Sequence, residues 1–410
     1  MKNTTIFTRA YLITGNDTPP KPDCTVVVSD GKIQDVFCGN HELSSTDAML
    51  FDLEGKTLMP GLIDAHVHPG NVEMYLHLTA KLPPAVYVHR VTRTLETDLQ
   101  LGFTTLRDAA GLDEGFRAAI NQGLIKGPRL LLCVTPLFQG QASDTPDPRN
   151  SLGICPEICD SPDEVRQAVE RTISRGADHI KVFADGEVIS QSKKDDAKPG
   201  QPKFSIEALQ AAVETAEKHK AYVMAHCYSA ASVQNCIRAG IRSIEHGNLM
   251  DEETIQMMVT HGTYYVPTLC PFDDKSIDKA KAHFDERTLE KLEIVMQKGK
   301  TTFEMAYRAG VKIASGSDIL GPDQYLKGRE LALKAEIMGP MGAIVSATRT
   351  NAELIGLADR FGTVDKGKLA DLIVVDGNPL EDISLFERGL EKVLFVMTEG
   401  RIQKNHLLPL

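Results

Sequence analysis

Eight short runs of apolar or β-branched residues alternate with helix-like stretches through the middle of the 410-residue chain. Such alternation predicts parallel strands joined by crossover helices, and eight repeats predict an α/β fold closed into a (β/α)8 TIM-like barrel. An open doubly wound sheet is the alternative, but no GxGxxG turn opens the first helix. The eight runs are residues 62–68, 102–108, 129–135, 179–185, 221–227, 241–247, 263–269 and 311–318.

Two of the intervening segments carry clear helix boundaries. Residues 205–220 begin with Ser205 as an N-cap and a glutamate in the first turn. Residues 161–177 begin with Ser161, continue with Pro162 at the first helical position and close on a glycine. Both patterns predict a helix between two barrel strands.

The two ends of the chain do not follow this alternation. Residues 1–57 contain two short β runs joined by a Ser-Asp-Gly turn, and residues 362–410 contain further strands with glycine turns. Because neither end has enough apolar surface to fold alone, we expect both to form one small β-sandwich domain. The barrel, residues 58–361, would then be inserted between the two ends.

Composition limits the partners and the location of the protein. The net charge of −11 argues against nucleic acid or an anionic membrane as a partner. The chain has no run of about 18 apolar residues and no secretion signal at its start. Its eight cysteines are scattered, with none in a CxxC pair, which favours a reduced set over disulfides. We therefore expect a cytoplasmic protein.

Histidines and an aspartate stand where the strands of the barrel should end. His66 and His68 share one face of the first strand and point into the barrel, where barrel enzymes carry their active sites. Two buried imidazoles without an ion would each need a separate partner. His226, His246 and Asp318 end the fifth, sixth and eighth runs. Each alone could be a strand cap, but together the five suit zinc or a similar divalent ion.

Lys181 occupies an inward position of the fourth strand, between Ile180 and Val182, which should face the helices. An ammonium ion beside divalent metals is unfavourable, so its pKa must fall or its charge must be removed. Carboxylation by carbon dioxide would remove the charge and create a carbamate that can bridge two metals. The alternative is a lysine whose side chain extends along the strand to solvent.

These residues and the segments around them resemble the amidohydrolase superfamily over nearly the whole chain. The likeness is greatest to prolidase-like enzymes, which cleave Xaa-Pro dipeptides or N-acyl amino acids, and residues 225–233 resemble their His-x-Tyr segment. The matching signature is His66, His68, Lys181, His226, His246 and Asp318.

The resemblance implies a binuclear metal-dependent hydrolase that cleaves an amide or peptide bond to a C-terminal amino acid. Two divalent ions, with zinc expected, would share a hydroxide and the carbamate on Lys181 as bridges. Asp318 would accept the proton of the nucleophile, and Tyr228 would polarise the scissile carbonyl, unless it only packs at the rim. Such enzymes are often homo-oligomers. The more buried ion would be held by His66, His68 and Asp318, and the more exposed one by His226 and His246.

One segment departs from the prolidase pattern. Relatives of that type carry a substrate-binding histidine after the third strand, where this chain has Gln139 or Gln141. Since an amide is neutral where an imidazole can be cationic, recognition of a substrate carboxylate would differ. Arg149 in the same loop would supply a cation unless it is simply a surface residue.

Three other functions are open at this stage. A lactonase, or a hydrolase of carbamates or xenobiotic amides, would use the same metals with a different pocket. Mononuclear deaminases of the superfamily generally lack the lysine, and several place a glutamate where this chain has Ser229. An inactive scaffold barrel would be expected to have lost a ligand, yet all six ligand positions are occupied.

Overall fold

The computed structural model describes residues 4–39, 48–140, 152, 155–186, 188, 200–273, 278 and 286–407. The strands in these residues are β1 (Thr4–Leu12), β2 (Lys21–Ser29), β3 (Lys32–Cys38), β4 (Met49–Asp52), β5 (Thr57–Pro60), β6 (Leu62–Val67), β7 (Phe103–Asp108), β8 (Arg129–Leu131), β9 (Leu137–Phe138), β10 (Glu157–Ile158), β11 (Ile180–Phe183), β12 (Val223–Ser229), β13 (Ser243–Leu249), β14 (Tyr264–Val266), β15 (Lys312–Ile313), β16 (Leu372–Val375), β17 (Val393–Thr398) and β18 (Arg401–Asn405).

The helices of the same residues lie mainly between the strands of the middle region. They are α1 (Leu76–Thr79), α2 (Pro84–Gln100), α3 (Glu114–Asn121), α4 (Pro162–Ser174), α5 (Ile206–Lys218), α6 (Ala230–Ala239), α7 (Glu252–His261), α8 (Glu286–Arg308), α9 (Arg329–Ser346), α10 (Arg349–Leu354) and α11 (Gly389–Lys392). Short 3-10 turns cover Cys270–Phe272, Gly321–Leu326 and Ile383–Arg388.

Each of the eight predicted runs contains a parallel strand. Strands β6, β7 and β8 pair in that order, and a second sheet runs β10-β9-β11-β12-β13-β14-β15. The two sheets meet on both sides: Asp178 N–H donates to Leu132 C=O at 2.8 Å, and Ala65 N–H donates to Ser315 C=O at 2.8 Å. The strands of the eight predicted runs follow the chain order around the ring, as expected for a (β/α)8 barrel. The short strands β9 and β10, after the third run, were not predicted.

Helices α4 and α5 begin where the sequence predicts. Ser161 accepts the Glu164 N–H and forms a full capping box with that residue, while Pro162 is the first helical residue. Ser205 accepts the Ala208 N–H at the start of α5. The apolar faces of both helices pack against the outward residues of β11.

Strands from both ends of the chain form one sheet. Its order is β18-β17-β16-β5-β1-β2-β3, with β4 beside β1. The Ser-Asp-Gly turn joins β2 to β3, with φ of 54° at Asp30 and 79° at Gly31, as a tight hairpin requires. A sheet composed of both termini is therefore present. Its description as a two-layered sandwich, and the domain limits at 57/58 and 361/362, stay predictions.

The cysteine prediction was wrong in one respect, because Cys24 and Cys38 form a disulfide. They lie directly opposite each other in the antiparallel pair β2–β3, a register that their spacing in the sequence does not reveal. The other six cysteines are free. In the described residues no helix is both long and apolar enough to cross a membrane. A cytoplasmic location stays a prediction.

Candidate metal centre and active site

The seven residues predicted as metal ligands or catalytic groups all line one cavity of about 130 Å³ at the carboxyl ends of the barrel strands, here called the metal cavity after its predicted ligands. Six of them lie in their strand or directly after it, and Asp318 follows β15 in the segment that comes after Ile313, so the barrel brings all of them together. They are His66, His68, Lys181, His226, Tyr228, His246 and Asp318.

Asp318 joins the first and last strands of the barrel. One of its carboxylate oxygens lies 3.4 Å from His66 Nε2 and 3.2 Å from His68 Nε2. Its backbone N–H donates to His66 C=O at 2.8 Å. A Cβ on Gly316 would lie 2.5 Å from the His66 Cβ, so only glycine allows the two strands to approach this closely.

A buried carboxylate orients the His66 ring. Glu245 Oε2 lies 2.8 Å from His66 Nδ1, so a proton on Nδ1 would leave Nε2 facing Asp318 as an acceptor. Arg107 donates to the same carboxylate at 2.9 Å, and the Ser243 hydroxyl donates to it at 2.6 Å. Glu245 and Arg107 were not among the residues predicted from the sequence, although a charged residue inside an apolar strand run is a visible signal.

The remaining imidazoles complete the cluster. His68 Nδ1 lies 3.0 Å from Ala110 C=O, and His246 Nδ1 lies 2.8 Å from the Thr268 hydroxyl. The rings of His226 and His246 are 4.5 Å apart, centroid to centroid. Possible ligand atoms of His66, His246 and Asp318 all lie within 4.8 Å of one another, a spacing that one metal ion can span.

Burial favours the uncharged form of three of these imidazoles, those of His66, His226 and His246. It lowers the pKa of His66 and of His226 well below the usual value, and nearby cationic groups add to the effect. Burial also lowers the pKa of His246 to about 4. A neutral imidazole has the lone pair that metal binding requires, so the three rings are suited to be ligands at neutral pH.

Lys181 is enclosed inside the barrel. Only 1% of its surface is exposed, and its side chain lines the metal cavity, so the alternative of a lysine extending to solvent is not what the structure shows. Burial lowers the pKa of its ammonium group. Ile180 and Val182 pack in the core between the strands and the helices, as predicted.

Two further residues lie next to His226. Tyr228 lines the metal cavity, and Asp185 contacts both Tyr228 and His226. The Tyr228 ring stacks on His246 at 5.1 Å and meets His226 edge-on at 4.9 Å. Asp185, which the sequence analysis did not select, accepts the Tyr228 N–H at 2.7 Å and lies 3.9 Å from His226 Nε2. Burial raises the pKa of Asp185 to about 7.

Three residues in or beside this site have a left-handed backbone. His246, Thr268 and Asp318 have φ of 76°, 46° and 50°, a left-handed conformation that costs energy in residues other than glycine. Such strain persists where surrounding contacts impose it, which is common at functional sites.

The segment after the third strand is described only in part. Gln139 lies beside Asp160, whose backbone carbonyl accepts from its amide at 3.4 Å, and it does not line the metal cavity. Gln141 and Arg149 lie outside the described residues. Gln139 is therefore not placed at the site.

Comparison with known proteins agrees with this geometry. The family model described as "Amidohydrolase family" matches residues 57–403. The ochratoxinase of Aspergillus niger is 32% identical over 430 aligned positions, which cover 98% of this chain and 87% of that protein.

Solved structures show the same relationship. A prolidase in complex with N-methylphosphonate-L-proline is 33% identical, with a TM-score of 0.91 over 98% of this chain and 100% of that one. A Xaa-Pro dipeptidase with bound methionine is 31% identical, with a TM-score of 0.85 over 98% and 99%. The chain belongs to the amidohydrolase family, with prolidases among its relatives, and is a hydrolase that acts on amide bonds.

Proposed function

We propose that this enzyme hydrolyses the amide bond between an acyl group and a C-terminal amino acid, at a centre that holds two divalent metal ions. The single observation that carries the proposal is the convergence of six nitrogen and oxygen donors with Tyr228 on one cavity at the barrel mouth. The similarity to a prolidase and a Xaa-Pro dipeptidase supports the choice of bond.

Some polar atoms at the site are not satisfied by hydrogen bonds to other side chains, as expected for atoms that bind metal ions. Among the described residues, Nε2 of His226 has no hydrogen-bond partner although it is buried, and the same is true of Oδ1 of Asp185 beside it. His66, His68 and Asp318 would hold the more buried ion, and His226 and His246 the more exposed one. Zinc suits this mixture of imidazole and carboxylate ligands.

Lys181 would bridge the two ions as a carbamate. Carbon dioxide reacts with a neutral amine, and burial lowers the pKa of Lys181 toward that form. The carbamate would replace a buried cation with an anion, which removes the repulsion between the side chain and the metals.

Asp318 and Tyr228 would have different roles in hydrolysis. Two divalent cations, when bound by these residues, would lower the pKa of a water molecule at the site, so that hydroxide would be available at neutral pH. Asp318 accepts the proton of the attacking water and passes it to the leaving amine. Tyr228 donates a hydrogen bond to the carbonyl oxygen as negative charge develops there.

Release of free amino acid tests the proposal. Metal-replete enzyme would be screened against N-acyl amino acids and dipeptides, with Xaa-Pro dipeptides included. Turnover is expected for members of this series, with a loss of at least about 100-fold in kcat for Asp318→Asn. If no compound released an amino acid, the substrate class would be wrong, and lactones, carbamates and other amides would be tested in the same way.

A further inference from the structure

A second, larger cavity opens beside the metal cavity. Its volume is about 270 Å³, against about 130 Å³ for the metal cavity. Four residues line both, namely His68, Asn71, Phe183 and Leu320. A group bound in this larger space, here called the apolar cavity, would therefore lie next to the metal ligands.

The walls of the apolar cavity are mainly aromatic and aliphatic. Phe138 stacks on Phe183 with ring centroids 4.1 Å apart, and Phe183 stacks on the metal-side His226 at 4.7 Å. The Tyr87 hydroxyl donates to Gly111 C=O at 2.7 Å, so this polar group is already satisfied. Such a surface favours a bulky apolar or aromatic group.

One cation lines the apolar cavity among the described residues, and it is Arg175. Its guanidinium donates to the Thr135 hydroxyl at 2.9 Å, and no described carboxylate lies within 4.0 Å of it. The carboxylate that does line this cavity, Asp113, accepts the Gly115 N–H at the start of α3. Arg175 is thus available to pair with an anion on a bound molecule.

The wall next to Arg175 is strained. Val134 has a φ of 60°, which is a marked outlier for a β-branched residue. Thr135 N–H donates to Cys133 C=O at 2.6 Å across this tight turn. The turn sets Thr135 against Arg175, and the same kind of strain marks the metal centre.

We propose that the apolar cavity receives the C-terminal amino acid of the substrate, with a bulky apolar side chain against the Phe138–Phe183 wall and its carboxylate on Arg175. The inference rests on the proposed function and adds the class of amino acid to it. Substrates with a large hydrophobic C-terminal residue are preferred to compact ones. Arg175 takes the role of carboxylate-binding cation for which the sequence suggested Arg149.

Three substrates and three proteins test this inference. The substrates are N-acetyl-L-phenylalanine, its C-terminal amide, and N-acetylglycine. The proteins are the unmodified enzyme, Arg175→Gln, and Arg166→Gln as a matched control, since Arg166 is exposed on α4 and pairs only within that helix among the described residues. The unmodified enzyme should prefer N-acetyl-L-phenylalanine to both other substrates by at least about 10-fold in kcat/KM.

Arg175→Gln should raise KM for the acid at least about 10-fold while kcat changes little, and should leave kcat/KM for the neutral amide unchanged. Equal effects on the acid and the amide, or no preference for phenylalanine over glycine, would overturn the inference. These outcomes leave the proposed function standing. A complete lack of amide turnover by the unmodified enzyme would instead overturn the proposed function.

Discussion

At the scale of single residues, metal binding depends on the orientation of each imidazole ring, which its hydrogen-bond partner fixes. Arg107, Glu245 and His66 form a continuous buried chain, with Arg107 and Glu245 fully enclosed. The carboxylate fixes the His66 ring and is itself neutralised by the guanidinium. Partners of this kind orient metal ligands, and their removal typically costs about 10- to 100-fold in metal affinity.

Glu245→Gln is expected to lower zinc affinity at least about 10-fold and to destabilise the fold by about 3 kcal/mol, because Arg107 keeps a buried charge without its partner. The double variant Arg107→Met with Glu245→Gln should recover most of the stability, since both charges are gone. It should not recover zinc affinity, because His66 still lacks its carboxylate. Zinc titration and urea unfolding measure the two effects separately, and wild-type zinc affinity in the double variant would contradict the role of Glu245.

The predicted metal ligands could be found from the sequence, whereas the residues that hold them in place could not. His66 and His68 were recognisable because alternate residues on one strand share a face. Glu245 and Arg107 come from different strands, and their pairing depends on barrel register, which no local pattern encodes. Asp185 was missed for the same reason.

At the scale of elements, His179 connects residues of three barrel strands or their ends, β7, β11 and β12. It precedes β11, its Nε2 lies 3.0 Å from Asp108 C=O at the end of β7, and its ring stacks on Tyr222, just before β12, at 5.6 Å. Burial, with the charge of Arg107, lowers the pKa of His179 to about 3.

This shift makes the stability of the strands depend on pH. An unfolded histidine titrates near about 6.5, so the folded state binds this proton less readily, and stability is lost as the pH falls from 6.5 toward 3. For His179 the loss at pH 5 is about 2 kcal/mol. His179→Gln should therefore lose about 2 kcal/mol less than the unmodified protein between pH 8 and pH 5, measured by urea unfolding.

His219→Gln is the matched control, because this partly exposed histidine pairs only with Glu170 at the surface among the described residues. Its unfolding free energy should follow pH as the unmodified protein's does. Equal pH dependence in His179→Gln and the unmodified protein would show that His179 does not carry the effect.

Features marked by a local sequence pattern, such as a helix cap or a turn, could be predicted. Features that depend on which strands pair could not. The caps at Ser161 and Ser205 and the hairpin at Gly31 were read directly from the sequence. The short strands β9 and β10 and the Cys24–Cys38 disulfide follow from which strands become neighbours. Which strands become neighbours cannot be read from the sequence of either strand alone.

At the scale of the whole molecule, the terminal sheet packs against the barrel. Arg129 of β8 donates to Asp371 at 2.6 Å and to Glu399 at 2.7 Å. One barrel residue therefore contacts the residue before β16 and the residue after β17, which lie at the same end of this antiparallel pair. A shared buried core also joins β16 and β17 to α2 and β7. The sequence predicted that both ends combine, because neither could bury its apolar face alone, but it did not predict these contacts.

The geometry of the barrel brings together donors that are spread over 253 positions, from His66 to Asp318, and this convergence supports a centre with two ions. Metal content per chain, measured after reconstitution with zinc and bicarbonate, tests that centre most directly. We expect about two zinc ions for the unmodified protein and for Lys300→Ala, an exposed control, and fewer than about one for Lys181→Ala. One ion or none in the unmodified protein, or two in Lys181→Ala, would contradict the bridged two-ion centre.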